Sequence, residues 1–181
     1  LYGGGLKIST TLSTGAQIAA LKARDDIVPK TDFGLTAAMV SVEPGTGAVR
    51  AMVGGPGFNA FQYNITTKSP GRQTGSSFKP FTLATWLAHG YSLRDTVDAT
   101  KRPFPFSDFT SCGSTLRGSA PYHPGNYEGT ETGRMSVLDA TRNSVNVAYV
   151  DMESRLDLCD IARTAQALGG HLAETEQEGS A

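Results

Sequence analysis

Two apolar runs flank a tight turn between residues 35 and 54: "LTAAMVSV" and "AVRAMVG" stand on either side of "EPGTG". Proline fixes φ and glycine permits the left-handed backbone, so these five residues reverse the chain and predict an antiparallel hairpin. The nearly continuous apolar character of both runs predicts a sheet covered on its two faces. Two strands make a poor sheet by themselves, so further strands are expected from outside this chain. Because helical patterns follow the hairpin, the fold class is read as α+β.

Upstream, "LKISTTL" is a β-branched run that reads as a strand. "STGAQIAALKAR" follows as a helix with Ser13 or Thr14 as N-cap and Ala16, Ala19, Ala20 and Ala23 on one stripe. Residues 55–75 read as loop. A helix is predicted from about Ser77 to His89, with Gly90 ending it; Phe78, Phe81, Leu83, Trp86 and Leu87 surround most of it, as in a buried helix. Residues 91–134 show no clear periodicity, and so long an irregular connection is often functional. Helical patterning returns over 136–141, 147–156 and 157–168, the last capped by Gly169 and Gly170. The organisation is read as one domain over 1–170 with a polar tail over 171–181, without internal repeats.

A chain of 181 residues makes one domain or a large piece of one. Its net charge of −1 and the lack of any Lys/Arg run argue against a nucleic-acid partner. These residues read as holding neither a membrane-spanning stretch nor a leader, so any membrane contact is expected through a segment outside them. His89, His123 and His171 are scattered, and Cys112 and Cys159 lack a C-x-x-C spacing, so no metal and no cofactor are expected. The spacing leaves two readings of the cysteines open: a disulfide in an oxidising compartment, or two buried thiols.

Chemistry enters at "TGSSFKPF", residues 74–81. Pro80 is tolerated only in the first turn of a helix, so the helix cannot begin much before Ser76. Ser76 is thereby placed where unpaired N–H groups and the positive end of the dipole point outward. Gly75 keeps the approach to Ser76 uncrowded, and Lys79 projects from the same face one turn on. A serine hydroxyl needs an adjacent base, and a lysine desolvated beside Phe78, Phe81 and Trp86 can be one. With 15 Ser and 6 Lys in the chain, Ser-x-x-Lys alone is a weak signal, and a polar first turn is the competing explanation. "RNSVNVAY" supplies a second element, with Ser144 and Asn146 flanking one residue between two helical patterns. A hydroxyl and a carboxamide on one side of a turning segment could relay a proton and hold an amide; the plain alternative is a helix N-cap.

Ser-x-x-Lys opening a helix, followed by Ser-x-Asn between helices, resembles the first two parts of the signature of penicillin-binding proteins and serine β-lactamases. "GGGLKISTTLSTGAQIAA", "VSVEPGTGAVRAMVGG", "RQTGSSFKPF", "NYEGTETGRMSVLDATRNSVNVAYV" and "IARTAQALG" resemble, in order, the transpeptidase domain of class A penicillin-binding proteins. The resemblance implies a β-lactamase-like fold, with the hairpin part of a central antiparallel sheet beside a helical subdomain. It implies a D,D-transpeptidase that cross-links peptidoglycan stem peptides through a serine acyl-enzyme and takes β-lactams as substrate mimics. Ser76 would be the nucleophile, with its backbone N–H an oxyanion donor, Lys79 the base and Ser144 the proton shuttle. Asn146 would hold the substrate amide, and Asn126 in "GNYEG" would be structural. The location implied is the extracytoplasmic face of the bacterial envelope, where Cys112 and Cys159 could pair.

The family's third motif, Lys-Thr-Gly or Lys-Ser-Gly on a strand, would follow Ser-x-Asn by well over a hundred residues. Here the nearest match is "KTD" at Lys30–Asp32, ahead of the nucleophile and without the glycine. The resemblance is therefore to the N-terminal part of the domain, with its C-terminal strands and the upstream glycosyltransferase domain missing. A serine β-lactamase is one alternative, although Val145 stands where class A enzymes have Asp. A non-catalytic β-lactam-binding or sensor module is the other.

Overall fold

The computed structural model describes residues 4–5, 7–28, 35–67, 72–127 and 132–170. Lys30–Asp32 and the 171–181 tail, both singled out in the sequence, lie outside the described residues. The chain divides into two compact units, one within Leu1–Arg72 and one over Gln73–His171.

The first unit is a helix against a hairpin. Helix α1 (Thr14–Ile27) starts at Ser13, whose side chain accepts from the Ala16 N–H. Strands β1 (Met39–Val42) and β2 (Val49–Val53) pair antiparallel, Met39 opposite Val53, with a register shift after Ser41. The turn needs its glycines, since Gly45 and Gly47 have φ of 84° and 70°. Gln17 turns its side-chain amide to the free edge of β2, accepting from Met52 N at 2.9 Å and donating to Met52 O at 3.0 Å. Ala20, Ala51 and Val53 form the small core.

Three expectations change here. All four residues of β1 are exposed, so the hairpin is covered on one face only, by α1 against β2. Lys7–Leu12 is not a strand; it follows β2 through isolated bonds, Thr11 Oγ1 to Val49 O at 2.8 Å and Ser13 N to Arg50 O at 2.9 Å. Of the alanine stripe, Ala20 is buried and Ala19 is exposed, because the contact with β2 is set by Gln17 and Ala20.

The second unit packs helices around a nearly enclosed central one. A 3₁₀ turn, Gly75–Phe78, leads directly into α2 (Lys79–Ala88), with Pro80 in the first turn where its missing N–H costs no bond. Strand β3 (Thr96–Asp98) heads a long connection containing the small hairpin β4 (Thr110–Ser111) and β5 (Ser114–Thr115); β6 (Arg134–Ser136) then returns to pair antiparallel with β3. Helices α3 (Val137–Arg142), α4 (Asn146–Glu153) and α5 (Leu158–Ala167) complete it. Val147 to Met152 are all buried. Trp86, Val97, Val137, Tyr149, Met152 and Ile161 anchor the larger core, and Phe104, Phe109, Val147 and Val150 a second. On α2 the buried positions are Thr82, Thr85 and Trp86, while Leu87 is 46% exposed and Phe78, just ahead of the helix, 37%, so the helix is less enclosed than its composition predicts.

Cys112 and Cys159 form a disulfide with Cα atoms 5.2 Å apart, tying the β4–β5 turn to the start of α5. Asp157 reinforces the tie: its carboxylate accepts from the N–H groups of Cys112 and Gly113 at 2.8 and 2.7 Å and of Cys159 at 2.8 Å. Among the described residues no helix is long and apolar enough to cross a membrane, and no cluster of metal-ligating side chains occurs.

Candidate active site

The second unit carries a cleft of about 360 Å³ whose walls include Gly75, Ser76, Phe78, Lys79, Tyr122, Gly125, Asn146, Tyr149 and Glu153. Its centre is the Lys79 amine. Nζ lies 3.1 Å from Ser76 Oγ, 2.9 Å from Ser144 Oγ, 2.6 Å from the Ser144 carbonyl and 2.6 Å from Asn146 Oδ1. The structure thus brings together the four side chains picked out by Ser-x-x-Lys and Ser-x-Asn, although 65 residues separate Lys79 from Ser144.

Each is positioned for a local reason. Ser76 sits in the 3₁₀ turn, one turn before Lys79. Ser77 is committed elsewhere, its hydroxyl and N–H both donating to Thr74 O. Gly75 answers a backbone need rather than a spatial one: its φ is 54°, and a Cβ built there would meet nothing within 4 Å. Ser144 also has a left-handed φ, 52°, in the break between α3 and α4, and both its carbonyl and its hydroxyl reach Lys79. Asn146 begins α4 but does not cap it. Asn126 caps the helix from outside, Oδ1 accepting from Val147 N at 2.9 Å, which leaves the Asn146 side chain to the cleft. Asn146 Nδ2 donates to Gly125 O at 2.9 Å, and that bond orients its oxygen toward Lys79.

The amine is electrostatically unusual. Burial holds the Lys79 pKa below the ordinary lysine value, opposed by the charge of Glu153. A neutral amine has two N–H donors and one lone pair. The Ser144 and Asn146 carbonyl oxygens take the donors, leaving the lone pair for a serine hydroxyl. The apolar surroundings differ from expectation: Trp86 is in the core, stacked on Tyr91, and it is the Tyr149 ring that lies beneath Nζ, at 5.3 Å.

Sequence reading missed Tyr149 and Glu153. They stand three and seven residues after Asn146, on one stripe of α4, a signal hidden by the apolar residues between them. Glu153 Oε1 accepts from Thr82 Oγ1 at 3.2 Å, and burial raises its pKa above the ordinary value.

No family model matches the chain. It is 32% identical over 167 residues to penicillin-binding protein 1A of Mycolicibacterium smegmatis, covering 91% of this chain and 19% of that protein. It is 34% identical over 153 residues to penicillin-binding protein 1A of Mycobacterium tuberculosis, covering 84% and 16%. A structure of PonA1 from M. tuberculosis in complex with penicillin V superposes with a TM-score of 0.73 at 31% identity, covering 93% of this chain and 40% of that one. The chain therefore spans about a fifth or less of the length of these curated relatives. On sequence and fold together, it belongs to the class A penicillin-binding proteins.

Proposed function

We propose that this chain supplies the nucleophile, base and proton shuttle of a serine acyltransferase that cross-links peptidoglycan stem peptides and is acylated by β-lactams. The observation that supports it most is Lys79 Nζ within hydrogen-bond reach of both Ser76 Oγ and Ser144 Oγ. Neutral Lys79 takes the Ser76 proton as Oγ bonds to the carbonyl carbon of a D-Ala-D-Ala amide. The Ser76 N–H, at the helix opening, stabilises the oxyanion. The C–N bond then breaks, and the proton passes from Lys79 through Ser144 to the departing amine. An amine of a neighbouring strand attacks the resulting ester; its C–O bond breaks and Ser76 regains a proton. With one N–H of Asn146 on Gly125, the second is left for a substrate carbonyl. In a β-lactam the broken C–N bond lies in the ring, so the amine stays tethered.

The setting proposed is the extracytoplasmic side of the bacterial envelope, with membrane attachment and a glycosyltransferase domain supplied outside these residues. The test is covalent labelling by a fluorescent penicillin in the full-length protein. Ser76→Ala should abolish labelling and Ser77→Ala should retain it. Lys79→Arg should cut the rate by about 10²–10⁴-fold, since guanidinium accepts no proton. Labelling that persists in Ser76→Ala would refute the assignment.

A further inference from the structure

The Tyr149 ring is fixed where it meets the base. Its centre lies 5.3 Å from Lys79 Nζ, and the residue is buried in the core that holds Trp86, Val145 and Met152. Thr141 Oγ1 donates to Val137 O at 2.7 Å, so in its 2.8 Å contact with the Tyr149 hydroxyl the phenol is the donor. The hydroxyl is thus engaged on α3, and the ring face is what Tyr149 offers the amine.

An aromatic face attracts a cation and is nearly indifferent to a neutral amine. In the proposed acyl transfer Lys79 is both in turn, an amine before Ser76 loses its proton and an ammonium after. Burial holds the Lys79 pKa below the ordinary lysine value, which supplies the amine but penalises the ammonium. The charge of Glu153 acts the other way, and so does the ring. We propose that Tyr149 is a positioning residue acting through Lys79: the face of its ring holds the ammonium that forms as Ser76 attacks. In that step the Ser76 O–H bond breaks and its proton passes to the Nζ lone pair. Oγ bonds to the carbonyl carbon, and the carbonyl π pair moves to the oxyanion. The inference rests on the acyltransferase reading of the same site.

The titratable groups that share the cleft with Lys79 are, among the described residues, Glu153 and Tyr149 on α4 and Tyr122 in the connection between β5 and β6. Burial holds the Tyr149 pKa above the ordinary phenol value, so the ring stays uncharged over the neutral range. Acylation needs the neutral amine, so its rate rises as the pH increases through the Lys79 pKa. Weakening the ring's hold on the ammonium lowers that pKa and moves the rise to lower pH. It also leaves a poorer proton acceptor, so the plateau falls.

The experiment is the pH profile of acylation by a fluorescent penicillin in the full-length protein, with phenylalanine and its mono-, di- and trifluorinated analogues placed at position 149. Fluorine withdraws charge from the ring face with little change in volume. Tyr149→Phe should acylate within about twofold of the wild type, because the ring is kept. Added fluorines should then lower the plateau step by step, by about three- to tenfold at the trifluorinated ring, and shift the rise about 0.5–1.5 pH units lower. Glu153 is present throughout the series, so its charge cannot produce the trend. Should loss of the Thr141 bond prevent folding, ring-fluorinated tyrosines make the same comparison with the hydroxyl kept. A rate indifferent to fluorine, or a plateau that falls while the rise stays in place, overturns the inference. So does a Tyr149→Phe variant as slow as Tyr149→Leu, which would assign the effect to the hydroxyl. A flat series with Ser76-dependent labelling overturns the ring's role alone, whereas labelling that persists in Ser76→Ala overturns the acyltransferase reading and the ring's role with it.

Discussion

Ser144 combines the proton-shuttle role proposed for it with backbone strain. Its φ of 52° is a conformation that side chains with a Cβ adopt at a cost of about 1–2 kcal/mol. Ser144→Gly should therefore be more stable than Ser144→Ala by about 1 kcal/mol in urea unfolding, while both lack the hydroxyl proposed as the shuttle and should acylate slowly. Equal stability would mean that the turn is not held left-handed. Glu153 makes a related trade. Its folded pKa is raised above the unfolded value, so ionisation costs stability; the cost is absent below the unfolded pKa and full above the folded one. Glu153→Gln should accordingly raise Tm at neutral pH, with the gain shrinking as the pH falls toward the ordinary carboxylate range. A pH-independent Tm difference would point to packing instead. Both residues belong to the candidate site, and sites of this kind commonly give up stability for function.

Among the elements, the ones legible in the sequence announce themselves locally. Ser13 caps α1, Pro and Gly mark the hairpin turn, and Gly169 and Gly170 close α5 by donating to Gln166 O and Ala165 O. Strands β3 and β6 escaped because each has three residues, pairs across more than thirty positions, and shows no alternation long enough to read. Ser76, Lys79, Ser144 and Asn146 were legible because Pro80 fixes where α2 begins and Ser-x-Asn sits at a helix break. Glu153 was not, because its meaning depends on which helix faces α4. The cysteine pairing was undecidable for the same reason: 47 residues separate the two, and only the β4–β5 turn brings Cys112 to α5. Reducing this disulfide, or Cys112→Ser with Cys159→Ser, should cost about 2–4 kcal/mol in denaturant unfolding. A loss below about 0.5 kcal/mol would show that Asp157, which already accepts from both backbone ends, holds the junction by itself.

Across the whole molecule, apolar burial is divided unequally between the two units. Among the described residues, Ala20, Ala51 and Val53 are the buried apolar cluster within Leu1–Arg72, whereas Gln73–His171 buries Trp86, Phe104, Tyr149, Met152 and the aliphatic residues packed around them. Burying a large side chain contributes about 1.5–3 kcal/mol and an alanine methyl far less, so the intrinsic stability of the second unit is the greater. The chain offers a built-in reporter of this difference. Its one tryptophan, Trp86, is fully buried in the second unit and stacked on Tyr91 at 3.9 Å, so its fluorescence follows that unit alone. Far-UV circular dichroism follows every helix, including α1 of the first unit. In guanidinium titration the dichroism should begin to fall before the fluorescence changes, with an early, minor transition from α1 and the hairpin, because the two probes then report unfolding steps of different stability. Disruption of the small core by Ala51→Asp should deepen the early transition and leave the Trp86 midpoint unmoved. Coincident transitions in the wild type, or a Trp86 midpoint that shifts with Ala51→Asp, would show that the two cores unfold as one cooperative unit.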